Sequence, residues 1–357
     1  MKITVVGGGN IGTQFAVHAA ETGNEVTVYT SSPDLYDGHL SIVDESGETI
    51  HEGHLIIATA DPELAFKNAE LILVTVPAMV MRKVADILLN YGIKDAFIGV
   101  VPGNGGSECA LIKCIERGNT FFALERVPAI ARLVKKGKTV KSIGYREELH
   151  VASIPRGMAE RCAEIVRSIF NISCQTIPYM LNLTMTPSNP ILHTSRLYTL
   201  FKDWHEGIKY DSVPLFYEEW EDASSEILLF MDDEEQEICR AIPELSYVKS
   251  LRDHYEAFTV ECMTKKIRSI QAFKGLTTPT AVVDGGIVPD LHSRYFTADF
   301  AYGLGIIQQV GEMAEVHTPI IDKVMDWYNS ISVEKDEFRY EYYGITKLDE
   351  LRAFYSQ

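Results

Sequence analysis

The chain has 357 residues, 46% of them hydrophobic, which is enough apolar surface for two ordinary cores. Its formal net charge of -17 excludes nucleic acid or an anionic membrane as the main partner: polyphosphate would be repelled except at local basic patches, whereas small anions can still bind locally. No apolar run approaches a membrane span, and because the first strand begins at Lys2 no signal peptide is expected. The six cysteines show neither Cys-x-x-Cys nor a His/Cys cluster at zinc spacing, so we expect free thiols in a reducing cytoplasm and no metal site.

In chain order, the first element is an apolar strand, Ile3 to Val6, running into Gly7-Gly8-Gly9-Asn10-Ile11-Gly12 and then an alanine-rich helix. That context makes Gly-x-Gly-x-x-Gly a dinucleotide fingerprint. Gly7 allows the tight turn, Gly9 lets backbone approach a pyrophosphate, and Gly12 lets the helix lie close on the sheet, with Asn10 and Ile11 at the helix N-terminus that faces the phosphates. A turn at Gly23-Asn24 leads to a second strand, Glu25 to Tyr29. An NAD enzyme usually places a carboxylate after this strand for the ribose hydroxyls. This chain offers Thr30, Ser31 and Ser32, which tolerate a 2′-phosphate better, so the cofactor is NADP or NAD with a lean towards NADP.

Residues 39 to 60 read as a hairpin turning at Asp44-Glu45-Ser46-Gly47, and Asp61-Pro62 as the cap of a short helix. The buried strand from Glu70 to Val76 ends at Val76-Pro77, and the strand from Ala96 ends at Pro102-Gly103-Asn104. Both lie at carboxyl ends, where ligands bind in doubly wound sheets, so Val76, Pro77 and Asn104 are expected to line the cofactor cleft. Cys109 and Cys114 read as packing residues. Lys135-Lys136-Gly137-Lys138 reads as a solvated hairpin tip rather than a binding patch. A helix from about Arg156 and a strand near Ser173 to Ile177 close an α/β Rossmann domain over residues 1–178, doubly wound with a mostly parallel sheet.

Beyond Pro178 the strands stop and helical patterns begin, including Val213 to Arg240 and Tyr302 to Ser330, so residues 179–357 are expected to form an all-α substrate domain, with a ligand cleft at the junction. The acidic run Asp232 to Glu235 with Glu237 reads as a solvated helix face. Two stretches here carry chemistry: Thr186 to Thr194, containing His193, and Ser293 to Asp299, containing Arg294. Taken alone, His193 reads as structural and Arg294 with Asp299 as a surface pair. Beside a bound nicotinamide the reading changes, because hydride transfer to a carbonyl or imine needs a nearby acid, and histidine provides one near neutral pH. A carboxylate such as Asp299 orients that imidazole, and an arginine clamps a substrate carboxylate with two parallel hydrogen bonds.

At these residues the chain resembles the octopine/nopaline (opine) dehydrogenase family. The matching features are Gly7 to Gly12, the Val76-Pro77 and Pro102-Gly103 loops, Asn189-Pro190-x-x-His193, and Arg294-Tyr295-Phe296 followed by Asp299 and Tyr302-Gly303-Leu304. The resemblance implies NAD(P)H-dependent reductive condensation of an amino acid or other amine with a 2-oxo acid such as pyruvate. It carries the acid/base role onto His193, the orienting role onto Asp299, and carboxylate binding or site shaping onto Arg294. Thr194, Ala298 and Thr30 depart from the family pattern, the first two bearing on substrate identity and the third on NAD against NADP. A ketopantoate-reductase-like or other 2-oxo/2-hydroxy acid dehydrogenase shares the first domain, but its catalytic lysine has no counterpart in a comparable setting. A non-catalytic dinucleotide sensor is the third reading, against which intact His193, Arg294 and Asp299 argue. The sequence leaves association as a homodimer open.

Overall fold

The computed structural model describes residues 1–332 and 337–357. They form two units, Met1–Leu183 with Ala353–Gln357, and Thr184–Arg352, so the division falls after Leu183 rather than at residue 178 and the last five residues return to the first unit.

In the first unit the strands are β1 (Lys2–Val6), β2 (Glu25–Tyr29), β3 (His39–Val43), β4 (Thr49–His54), β5 (Ile57–Thr59), β6 (Leu71–Val74), β7 (Phe97–Val100), β8 (Thr120–Leu124), β9 (Ile130–Lys135), β10 (Thr139–Ile143), β11 (Glu148–Ile154) and β12 (Ser173–Thr176). Eight of them make one sheet in the order β12-β11-β8-β7-β6-β1-β2-β5, parallel at every pair except β11 with β8. The chain builds outward from β1 through β2 to β5, then crosses back to β6 on the other side of β1. The switch point where a doubly wound sheet opens a crevice is therefore between the carboxyl ends of β1 and β6, at Gly7 and Thr75.

The other four strands form a second sheet, β4-β3-β10-β9, with β3 and β10 parallel. The first helix, Asn10–Glu21, has eight consecutive buried residues from Gly12 to Ala19. Its Phe15, Ala16 and Val17 share one core with Val5 and Val28 of the first sheet and with Leu40, Ile42 and Val140 of the second. A helix covered on nearly all sides needs small apolar residues all round, which explains its alanine-rich sequence. Cys109, Cys114, Cys162 and Cys174 are buried in this unit, and burial raises the thiols of Cys114 to about 11 and of Cys162 and Cys174 to about 12, so these are packing groups.

The second unit is mainly helical, built around Pro190–Phe201, Asp222–Ala241, Gly305–Met313 and Pro319–Ile331. It departs from an all-helical expectation in a two-stranded antiparallel hairpin, β13 (Thr280–Val283) with β14 (Gly286–Pro289). The expected helix from Val213 begins only at Asp222. The acidic run is a solvated face only at Asp233 and Glu237. Asp232 is fully buried and accepts from the amides of Leu251 (2.7 Å) and Arg252 (3.3 Å), and Glu234 accepts from those of Ile320 and Ile321 (2.8 and 2.9 Å). These carboxylates satisfy the orphan N–H groups of two neighbouring helices and complement the positive end of each dipole. No described helix is long and apolar enough to cross a membrane.

Candidate active site

The glycine loop after β1 is shaped by contact. Gly7 has φ +108°, and a Cβ on Gly12 would drive into the carbonyl oxygen of Gly7, so the helix can start this close to the turn only without a side chain there. Gly9 is different: a Cβ there would meet nothing within 4 Å. It stands at the N-cap of the first helix and lines a cavity of about 680 Å³. Open space above a helix N-terminus with its unpaired amides is the cradle a pyrophosphate requires.

That cavity brings together Gly7, Gly9, Thr30, Ser31, Val76 and Pro77 from the expected cofactor residues. Thr30 is only 8% exposed, its Oγ1 accepting from the Ser32 amide (3.3 Å), so Ser31 is the exposed hydroxyl at the end of β2. Others serve differently. Asn10 Oδ1 accepts from the Leu133 amide of β9 at 2.7 Å, Ile11 packs against the core, and Gly12 makes the helix contact. Asn104 is half-buried on the loop after β7, outside the lining. Two lysines do line the cavity, Lys83 and Lys136. Lys136 belongs to the triplet expected to be a solvated tip; it is exposed, and its Nζ donates to Ser32 Oγ at 3.2 Å.

In the second unit, Asn189 and Pro190 start the helix that carries His193 one turn in, with Pro190 at the first helical position where its missing N–H costs nothing. His193 is 8% exposed and uses both ring nitrogens: Nδ1 lies 2.7 Å from Asp299 Oδ2, and Nε2 2.7 Å from the Tyr217 hydroxyl. An ionised Asp299 only accepts, so Nδ1 carries the proton, and in the neutral ring Nε2 accepts from the Tyr217 O–H. Burial pushes the Tyr217 phenol well above its ordinary value, which keeps it a donor. Tyr217 was not legible in the sequence, where its segment reads as helix.

Two features hold this triad. Arg196, one turn beyond His193 and fully buried, donates to the carbonyls of Phe216 (3.1 Å) and Glu219 (2.6 Å) and to Ser224 Oγ (3.2 Å), fixing the non-helical segment that presents Tyr217. Burial lowers its guanidinium to about 10, still charged at neutral pH. Asp299 opens a π-helical turn, Phe300–Leu304, closed by the Leu304 amide on the Asp299 carbonyl at 2.8 Å. A Cβ on Gly303 would lie 2.9 Å from Pro190 Cγ, so glycine lets this wide turn rest on the start of the His193 helix. Arg294, at the start of the short helix Arg294–Thr297, is exposed and makes no ion pair among the described residues. It does not pair with Asp299, whose carboxylate is committed to His193.

One cluster could share a cation: ligand atoms of His18, Glu21 and His51 lie within 4.8 Å of one another. These groups already have partners, Tyr145 on His18 (3.0 Å) and Glu21 on His51 (2.8 Å), and stand at the far end of the first helix from the glycine loop.

Both parts of the chain match known families. Residues 176–332 match the model of the NAD/NADP octopine/nopaline dehydrogenase alpha-helical domain, and residues 2–121 that of the NAD-dependent glycerol-3-phosphate dehydrogenase N-terminus. Over its second unit the chain is therefore similar to the octopine/nopaline dehydrogenases. Among its relatives, tauropine dehydrogenase of Arabella iricolor is 25% identical over 91% of this chain and 90% of its own length, and octopine dehydrogenase of Mizuhopecten yessoensis is 25% identical over 92% and 89%. A solved octopine dehydrogenase structure with NADH and L-arginine superposes with a TM-score of 0.84 at 23% identity, covering 100% of this chain and 98% of that one, so the two chains share a fold.

Proposed function

We propose that the protein is an NAD(P)H-dependent opine dehydrogenase: it condenses the amino group of an amino acid or other amine with a 2-oxo acid such as pyruvate, water leaves, and the imine is reduced to a secondary amine. The observation that carries this reading is the His193–Asp299 pair at 2.7 Å, with Arg294 exposed, and without an ion pair among the described residues, five residues before Asp299. Bound in the cradle of the first unit, the nicotinamide cofactor supplies the hydride. His193 supplies the proton chemistry. With Nδ1 held by Asp299, Nε2 is the atom that takes a proton and gives it to the acceptor. Arg294 binds the carboxylate of the oxo acid through its planar fork.

In the first unit, Gly7, Gly9 and the helix N-terminus receive the pyrophosphate, Ser31 and Thr30 the ribose, and Val76 and Pro77 the far wall. Thr30, Ser31 and Ser32, rather than a carboxylate, directly follow β2, so NADPH is used at least as well as NADH. Six free cysteines suit a reducing, cytoplasmic setting.

The test is oxidation of NADPH or NADH with pyruvate, with and without a panel of amino acids and primary amines. Oxidation should depend on the amine and yield the condensed, reduced adduct by mass. Rapid oxidation with the oxo acid alone, giving only the 2-hydroxy acid whatever amine is added, overturns the reading.

A further inference from the structure

We propose that Lys136, with Ser31 and Ser32, forms a subsite for the 2′-phosphate of NADP(H), built by the second sheet and folded over the end of β2. The inference rests on the dinucleotide-binding reading above and names the residues that would choose between its two forms. The β9–β10 turn is not free in solvent. Gly137 has φ +73°, and a Cβ on it would run into the backbone carbonyl of Leu35, so the turn lies directly against the segment that follows β2. Next to it Lys138 forms an ion pair with Asp37 of the same segment, holding that carboxyl below its ordinary range. At its base the Leu133 amide is bound by Asn10 of the dinucleotide helix at 2.7 Å.

These three ties bracket Lys136 and set its ammonium 3.2 Å from Ser32 Oγ, on the lining of the cavity that holds Gly9 and Ser31. The end of β2 is where a Rossmann domain meets the adenosine ribose. A carboxylate there selects NAD, and a cation accommodates the extra phosphate. Here the position carries two serine hydroxyls and a lysine. The acids of the same segment do not oppose it: Asp37 is taken by Lys138, and neither Asp34 nor Asp37 lines the cavity. In a chain of net charge -17, a tethered lysine is the local cation that a dianionic phosphate needs.

The experiment is calorimetric titration of the intact protein with NADPH, NADH and adenosine 2′,5′-bisphosphate, for the unaltered chain, Lys136→Gln and Lys135→Gln. NADPH should bind more tightly than NADH. Lys136→Gln should weaken NADPH and the bisphosphate by roughly tenfold, the worth of one charge-assisted contact, while NADH stays within about twofold. Lys135→Gln removes the same charge one residue away, outside the lining, and should change neither ratio. An NADPH-to-NADH affinity ratio unaffected by Lys136→Gln, with both cofactors still binding, overturns the subsite and leaves the proposed function standing. Binding of neither dinucleotide overturns both.

Discussion

His193 and Asp299 are 106 residues apart in the chain and 2.7 Å apart in the fold, the one on a helix opened by Asn189-Pro190, the other at the start of a π turn that rests on Pro190. The carboxylate fixes the ring tautomer and leaves Nε2 as the working nitrogen. His193→Ala should therefore lower turnover by roughly 10² to 10⁴-fold with dinucleotide affinity almost unchanged. Asp299→Asn should act through the same group, so the double variant should be little worse than His193→Ala alone. Steady-state kinetics on the three variants checks this, and defects that multiply would show two independent groups.

Tyr217→Phe removes the donor from a buried ring nitrogen. The unpaired Nε2 should cost about 1–3 kcal/mol in urea unfolding, while turnover falls by less than in His193→Ala. A Tyr217→Phe protein as inactive as His193→Ala would instead put the tyrosine hydroxyl on the proton's path.

Arg196 holds the Tyr217 segment through three hydrogen bonds from a fully buried guanidinium. Arg196→Met should leave the carbonyls of Phe216 and Glu219 unpaired and destabilise the protein by roughly 3–5 kcal/mol. Chemical denaturation measures the loss; a midpoint equal to that of the unaltered chain would contradict the role.

Gly9 and Gly12 separate binding from folding. Gly9→Ala places a methyl in open space at φ -86°, so thermal stability should hold while dinucleotide affinity drops by roughly tenfold or more. Gly12→Ala meets the Gly7 carbonyl and should cost about 1–3 kcal/mol of stability. Calorimetric titration and thermal melts of both variants test the distinction.

His18 is 4% exposed, and its pKa is pushed down to about 4, first by burial and then by neighbouring His51. The unfolded chain protonates near 6.5, so the stability that neutral His18 contributes is complete above about pH 6.5 and is lost as pH falls towards 4, about 3 kcal/mol in all. Asp232, raised to about 6 by burial, has the opposite sign, its contribution being lost as pH rises through 6. Comparing His18→Gln with the unaltered chain removes that common term. The unaltered chain's stability advantage should shrink between pH 7 and 4.5 in urea titrations, and a constant difference would refute the linkage.

Much of the first unit was legible because its signals are local. The Gly7 to Gly12 turn, the Asp44 to Gly47 hairpin and the Asp61-Pro62 cap, whose carboxylate accepts from the Glu63 amide at 2.9 Å, each depend on residues within a few positions. His193 and Asp299 were legible by resemblance rather than by pattern. What stayed hidden was set by pairing at long range. Lys136 reaches Ser32 because β10 pairs with β3 across about a hundred residues, and nothing in a lysine triplet announces that. Asp232 and Glu234 look solvated because any acidic helical run does, until two other helices bring their bare N-termini to them.

The π turn makes the site a matter of residue count as well as residue type. An α-helix closes in 3.6 residues per turn, and Phe300–Leu304 holds one more than that repeat allows. Were the same residues to tighten into ordinary α-helix, everything before them would turn by about one residue's step, roughly 100° around the axis, Asp299 included. His193 would keep its place, and every side chain of the pair would still be present in the sequence. The frame in which the two meet would be gone.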